Sequence, residues 1–155
     1  MHIVGYIKCH RKLRLQFDCS YPRVNKSWFK QYDWVDFYRD AKEAIPPNMP
    51  EERGHSVITS CFVDANHAGN TKDRRSQTGI LLFINKAPIQ WYRKRQTTVE
   101  SSTFGTEFYA MRAAVDLIEG LRYKLRMFGI PLEGATNVYC DNEAVYKIQY
   151  YLNLR

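Results

Sequence analysis

A long amphipathic run in the second half of this chain constrains its fold more than any other sequence feature. Its apolar residues recur at the three- and four-residue steps that mark one face of an α-helix; they are Phe104, Phe108, Met111, Val115, Ile118, Leu121, Leu125 and Phe128. Ser102 or Thr103 can cap the start of this helix, and the tetrapeptide FGIP ends it with a glycine and a proline. A helix with one apolar face must pack against another layer.

The segments on either side of this helix predict that the other layer is a sheet. SVITSCFVDA reads as a strand that ends near an acidic residue, and TGILLFI is apolar throughout and is expected to be a central strand. After the turn NKAP, PIQWYRKR alternates as a third strand, with Trp91 expected in the core. NVYCD reads as a short fourth strand, and DNEAVYKIQYYL begins a second helix. This order of elements predicts an α/β fold that contains an antiparallel meander.

The first third of the chain gives weaker signals. The basic stretch from Met1 to Lys12 is predicted to be the end of a helix, and LRLQFD is predicted to be a half-buried strand that points Leu13, Leu15 and Phe17 inward. A helical turn is expected from Trp34 to Ala44, and the proline-rich AIPPNMPEERG that follows indicates a connecting segment.

Composition limits the classes of function. The chain has 155 residues, enough for one domain, and its net charge of +7 favours polyanionic partners. Its four cysteines form no CxxC pair, so neither a zinc site nor a disulfide framework is expected. The sequence has no apolar run that could span a bilayer and no signal-peptide core, which predicts an intracellular protein with no membrane partner.

Three carboxylates occupy the places where a metal site is expected. Asp64 ends the first sheet strand, Glu107 lies in the first turns of the long helix, and Asp141 follows the fourth strand. Each alone is an ordinary cap or turn residue, but together they can converge if the first and fourth strands are neighbours. Oxygen ligands favour Mg²⁺ or Mn²⁺, and two such ions about 4 Å apart can assist phosphodiester hydrolysis.

Several segments resemble the ribonuclease H domain of copia-type retrotransposons over roughly residues 55–147. FVDANHAG is similar to the family's DADWAG, and RRSQTGILLFINKAPIQWYRKRQTTVESSTFGTEF is similar to its R-S-TG, I-W-SKKQ and SSTEAEY motifs. VYCDNEAV is similar to the CDN-A segment, and HIVGYIKCHRKLRLQFD is similar to the end of the reverse transcriptase region. The resemblance implies a reverse transcriptase remnant at residues 1–17, a connecting segment at 18–54 and a ribonuclease H-like domain at 55–155.

This resemblance also implies an activity, its site and its setting. Asp64, Glu107 and Asp141 correspond to catalytic residues that bind Mg²⁺ or Mn²⁺, and the family hydrolyses the RNA strand of RNA–DNA hybrids. The expected partners are such a hybrid or another nucleic acid, and the rest of a reverse transcriptase polyprotein, in a cytoplasmic virus-like particle or the nucleus. The family has a fourth carboxylate in a later segment, whereas no Asp or Glu follows Tyr146 here. We therefore expect a mixed sheet with flanking helices that is incomplete at its C-terminus and cleaves hybrids weakly or not at all.

Basic residues near the strand ends are candidates for contacts to a nucleic-acid backbone. The predicted set is Arg74, Arg75, Arg93, Lys94, Arg95 and Gln96. Arg122, Lys124 and Arg126 on the long helix are weaker candidates, because a solvated basic face is equally expected there. Two other functional classes remain open: a nucleic-acid-binding remnant without catalysis, and a polyprotein fragment without any selected function.

Overall fold

The computed structural model describes residues 2–23, 25, 27, 43, 45–69 and 72–141. Over these ranges the chain forms two helices, α1 (His2–Cys9) and α2 (Thr103–Met127), and four strands. The strands are β1 (Thr59–Asn66), β2 (Gln77–Ile84), β3 (Ala87–Arg95) and β4 (Asn137–Tyr139). They form one sheet in the order β3-β2-β1-β4, in which β4 alone runs parallel to its neighbour, β1. This mixed sheet with a packed helix confirms the predicted α/β class and is compatible with a ribonuclease H-like domain.

The alternation of side chains along β1 divides the sheet into a core side and an open side. Cys61 and Val63 point toward α2 and are buried, whereas Phe62, Asp64 and Asn66 point the other way and are exposed. We call the side that carries these three exposed residues the open face. On the core side the apolar cluster consists of Cys61, Val63, Ala65, Ile80, Leu82, Ala110, Met111, Ala114, Ile118, Leu121 and Leu125.

Both ends of α2 follow the signals in the sequence. The Ser102 side chain caps the first turn by accepting a hydrogen bond of 3.1 Å from the Gly105 backbone N–H. At the other end Gly129 adopts a φ of +69°, and a Cβ there would lie 2.9 Å from the Glu51 carbonyl oxygen. Only glycine fits this close, left-handed turn, which then leads residues 130–136 back toward β4.

An ion-pair network fixes the far end of α2 to the segment that precedes the sheet. Glu43 accepts hydrogen bonds of 2.6 Å from Nη2 of both Arg122 and Arg126. Arg122 is only 4% exposed, and its Nη1 also donates to the Gly134 carbonyl oxygen at 3.0 Å. Because Arg122 is buried and paired in this way, its proposed role in contacting nucleic acid is wrong.

Two local predictions are also wrong. Residues 13–19 form no strand, and Leu13, Leu15 and Phe17 are each more than 60% exposed, because an alternating segment becomes a strand only when another strand pairs with it. Trp91, predicted to be in the core, points to the open face and is 67% exposed. The predicted helices at Trp34–Ala44 and after Asp141 lie outside the described residues, except for Glu43. Neither of the two described helices has the length and apolar character needed to cross a membrane.

Candidate metal centre

The parallel pairing of β1 with β4 places two of the three carboxylates on the same side of the sheet. Phe62 pairs with Tyr139, and their rings stack on the open face with centroids 4.5 Å apart. Asp64 follows Phe62 by two residues on β1, and Asp141 lies two residues beyond Tyr139, just past the end of β4. Both residues line the concave surface of the open face, so the two carboxylates lie on the same side of the sheet. Both residues are exposed.

The first turn of α2 brings in the third carboxylate. This turn is held against the loop after β1 by Thr106, whose hydroxyl lies 2.9 Å from His67 Nδ1 and 3.3 Å from Ser76 Oγ. The next residue, Glu107, is only 7% exposed. One of its carboxylate oxygens lies within 4.8 Å of a carboxylate oxygen of Asp141.

The electrostatics of Glu107 indicate that the site suits a cation. The pKa of Glu107 is raised from 4.5 to about 7, mainly by burial and also by the charges of Asp64 and Asp141, while a hydrogen bond from the Ala65 backbone opposes the shift. The Oε2 atom of Glu107 is buried and has no hydrogen-bond partner among the described residues. A buried acceptor without a partner, beside two like charges, is stabilised when a cation binds there. Glu107 and Asp141 therefore lie close together, Asp64 is near enough for its charge to act on Glu107, and the role of all three residues as ligands stays a prediction.

A fourth donor at this place was missed by the sequence analysis. The Sγ atom of Cys140 lies within 4.8 Å of the same carboxylate oxygens of Glu107 and Asp141. A CxxC motif gives no signal for Cys140, because the residues near its thiol are carboxylates and one of them, Glu107, lies on α2. The available signal was its position beside Asp141 at a strand end. The donor set is therefore not made of oxygen alone.

The open face forms a shallow depression with a volume of about 920 Å³, and Asp64 and Asp141 are among the residues that line it. Pairing across β3, β2 and β1 arranges its side chains in rows. One row contains Arg93, Gly79 and Asp64, and a neighbouring row contains Trp91, Leu81 and Phe62. Since Gly79 has no side chain, a gap separates the Arg93 guanidinium from the Asp64 carboxylate.

Strand geometry separates the basic residues that the sequence analysis grouped together. Arg93 is on the open face and donates two hydrogen bonds to Gln77 Oε1, at 3.1 and 2.6 Å. Lys94 is also exposed, but it pairs with the buried Thr78 on the side that faces α2. Arg95 forms an ion pair of 3.0 Å with Asp73.

The remaining members of the predicted nucleic-acid set differ in how accessible they are. Arg74 is exposed in the loop before β2, and Arg75 lies 3.8 Å from Asp73. Gln96 is 2% exposed, and its amide donates to Thr78 Oγ1 and to the Thr106 carbonyl oxygen. Its prediction as a nucleic-acid contact is therefore wrong, because the side chain is used to join β2 to α2.

Comparison with known proteins agrees with the resemblance seen in the motifs. The chain is 28% identical over 91 residues to the retrovirus-related Pol polyprotein from transposon RE2 of Arabidopsis thaliana. It is 30% identical over 91 residues to that from transposon TNT 1-94 of Nicotiana tabacum. Each match covers 59% of this chain. This chain is homologous to part of the transposon Pol polyproteins.

The extent of these matches limits what they establish. The matched region is 6–7% of the length of the Pol polyproteins, so the homology concerns one small part of them. The chain is also 44% identical over 73 residues to an uncharacterized mitochondrial protein of Arabidopsis thaliana, over 47% of this chain and 30% of that protein. No family model matches the chain, and no solved structure matches it. The resemblance to retrotransposon Pol polyproteins is confirmed.

The pKa of Glu107 predicts how the stability of this chain responds to pH and to Mg²⁺. Because the folded-state pKa is raised, the folded chain holds the proton more tightly between pH 4.5 and 7, so ionised Glu107 destabilises the fold above pH 7. In chelator at pH 8, Glu107→Gln should therefore increase the free energy of unfolding by about 1–3 kcal/mol. At pH 4 the gain should vanish.

Adding Mg²⁺ at pH 8 should raise the melting temperature of the wild type and leave that of Glu107→Gln nearly unchanged. Thermal melts of the two proteins with Mg²⁺ and with chelator provide the measurement. Equal stabilisation of both proteins by Mg²⁺ would place the cation elsewhere.

Proposed function

We propose that this chain supplies the metal-binding carboxylates of a ribonuclease H-type hydrolase, which cleaves the RNA strand of RNA–DNA hybrids. The observation that carries the proposal is the buried, unpartnered oxygen of Glu107, which lies close to the Asp141 carboxylate and under the influence of the Asp64 charge. Homology to Pol polyproteins that are named retrovirus-related supports a role in nucleic-acid metabolism.

Each of the three carboxylates has its own role in the proposed reaction. Glu107 and Asp141 would hold a divalent cation between the start of α2 and the end of β4, and Asp64 would face the same space from β1. Mg²⁺ or Mn²⁺ bound there would stabilise the charge that develops on the phosphodiester oxygens during hydrolysis. Glu107 is fixed in position because its side chain is buried and because Thr106 holds its helical turn. Preorganised ligands need no rearrangement when charge develops.

The open face offers a path for the nucleic-acid backbone to these carboxylates. Arg93 lies in the same row as Asp64, on the far side of the gap at Gly79. A guanidinium at this position can bind a phosphate and direct the neighbouring phosphodiester toward the carboxylates. Arg95 is partly neutralised by Asp73, so we assign it a smaller share of the binding.

This path makes a prediction that separates two adjacent residues of equal charge. Arg93→Gln should weaken hybrid binding and reduce the slope of log K against log salt by about 0.9, the value for one lost phosphate contact. Lys94→Gln removes the same charge from the opposite side of β3 and should change the slope much less. Fluorescence anisotropy at several salt concentrations measures both. A larger effect of Lys94→Gln would place the duplex on the α2 side of the sheet.

A cleavage assay on three substrates tests the function itself. The purified chain, and the same chain extended with the following segment of a Pol relative, should be incubated with an RNA–DNA hybrid, single-stranded RNA and duplex DNA. We expect cleavage of the hybrid's RNA strand in Mg²⁺ or Mn²⁺, strongest in the extended form. Hybrid binding without cleavage in both forms would contradict the hydrolase proposal.

A further inference from the structure

The Glu107–Cys140–Asp141 cluster differs from a purely hard-metal site in one chemical respect. It consists of two carboxylates and one thiol, and each residue has a donor atom within 4.8 Å of the other two. Ligand atoms placed 2.0–2.3 Å from one tetrahedral Zn²⁺ ion lie about 3.3–3.8 Å apart. Three donor atoms within 4.8 Å of one another are close enough to reach this spacing by rotation of their side chains.

An independent observation indicates that this cluster is built to receive a ligand. Glu107 is 7% exposed, and its Oε2 is buried without a hydrogen-bond partner among the residues described. A carboxylate oxygen left in this condition is costly unless a cation or a proton is supplied. Cys140, which directly follows β4, is partly buried and packs against the apolar cluster.

We propose that the Glu107–Cys140–Asp141 cluster binds a thiophilic divalent cation of the Zn²⁺ class, which competes with the hard cation for the same two carboxylates. A cysteine sulfur bonds Zn²⁺, Co²⁺ and Cd²⁺ well and Mg²⁺ poorly. Three protein ligands would leave a fourth tetrahedral position open, as in exchangeable zinc sites. The inference rests on the proposed function only in its assumption that Glu107 and Asp141 face a cation.

Competition gives the site a means of regulation. A Zn²⁺ ion bound through Cys140 would occupy Glu107 and Asp141 without offering the octahedral oxygen environment that Mg²⁺ requires. Zn²⁺ is therefore expected to inhibit Mg²⁺-dependent cleavage in a manner that excess Mg²⁺ reverses. Cys61 cannot take part, because it is fully buried in the core, where burial raises the pKa of its thiol to about 12.

Co²⁺ titration of the full chain tests the proposal by spectroscopy. Cys9 and Cys19 are exposed and could bind Co²⁺ adventitiously, so a Cys9→Ser/Cys19→Ser chain is the starting protein. It should bind one equivalent of Co²⁺ and develop the near-ultraviolet charge-transfer band of a cobalt–thiolate bond. Adding Cys140→Ser should abolish the band and weaken Co²⁺ binding on the order of tenfold or more. Absence of the band in the starting protein, or its persistence after Cys140→Ser, would overturn the inference.

A second measurement keeps Cys140, so its result does not depend on whether the Cys140→Ser variant folds correctly. In the Cys9→Ser/Cys19→Ser chain, Zn²⁺ should slow the alkylation of Cys140 by iodoacetamide, as followed by mass spectrometry. Equal alkylation of Cys140 with and without Zn²⁺ would also overturn the inference. The two proposals fail separately: hybrid cleavage without the cobalt–thiolate band refutes the thiophilic site alone, and the band without cleavage refutes the hydrolase alone.

Discussion

Asp64→Asn should reduce the rate of hybrid cleavage about a thousandfold in whichever form of the chain is active. The substitution keeps the size of the side chain and removes its negative charge from the space that Glu107 and Asp141 share. Loss of metal-mediated charge stabilisation costs roughly 4 kcal/mol in the transition state, which corresponds to this change in rate. Asp64 is exposed and makes no contribution to the core, so the fold should be unaffected.

Asp116→Asn is the matched control for this experiment. Asp116 is an exposed carboxylate on α2, well along the helix from Glu107, and its substitution changes the net charge equally. Single-turnover rates should therefore show loss of cleavage in Asp64→Asn alone. Thermal melts should show that both variants remain folded. If Asp64→Asn cleaves at more than about a tenth of the wild-type rate, Asp64 does not participate in stabilising the transition state.

The periodicity of the sequence was sufficient to predict the sheet and α2. Local patterns of this kind are reliable when one face of an element is buried, as in β1, where Val63 faces the core and Asp64 faces outward. The same reasoning failed for residues 13–17, where the alternation is present but no strand in the described part of the chain pairs with it. The prediction that Trp91 is buried failed for a related reason, since period-two spacing does not tell which face of β3 is covered by the helix.

Other features of the site depended on contacts between distant parts of the chain. The proximity of Cys140 to Glu107 arises because β4 runs parallel to β1, against which α2 packs, so that the residue just after β4 comes close to the first turns of α2. Arg93 and Lys94 lie on opposite faces of β3, because successive side chains of a strand alternate between its two faces. A run of basic residues in the sequence does not show which of them faces the carboxylates. Arg122 is the clearest case, because its partner Glu43 is 79 residues earlier and lies in a segment with weak sequence signals.

That distant pair gives the largest stability effect expected outside the core. Glu43→Gln should lower the free energy of unfolding by about 3 kcal/mol, because it leaves the charge of Arg122 buried without a counter-ion. Glu52→Gln is the matched control: Glu52 is 46% exposed and lies 4.0 Å from Arg126, so its loss should cost less than about 1 kcal/mol. Urea unfolding at pH 7 compares the two variants.

The pH dependence of stability provides the decisive signature of this ion pair. Hydrogen bonds from Arg122 are the main reason that the pKa of Glu43 falls from 4.5 to about 2. Because the folded-state pKa is lowered, the stabilisation is complete above pH 4.5 and is lost as the pH falls toward 2. The wild type should therefore lose stability across this window more steeply than Glu43→Gln, and the two curves should converge at the acid end. Parallel curves would mean that Glu43 does not hold α2 through its charge, and that Arg122 is compensated by its hydrogen bonds to Gly134 and Thr136 alone.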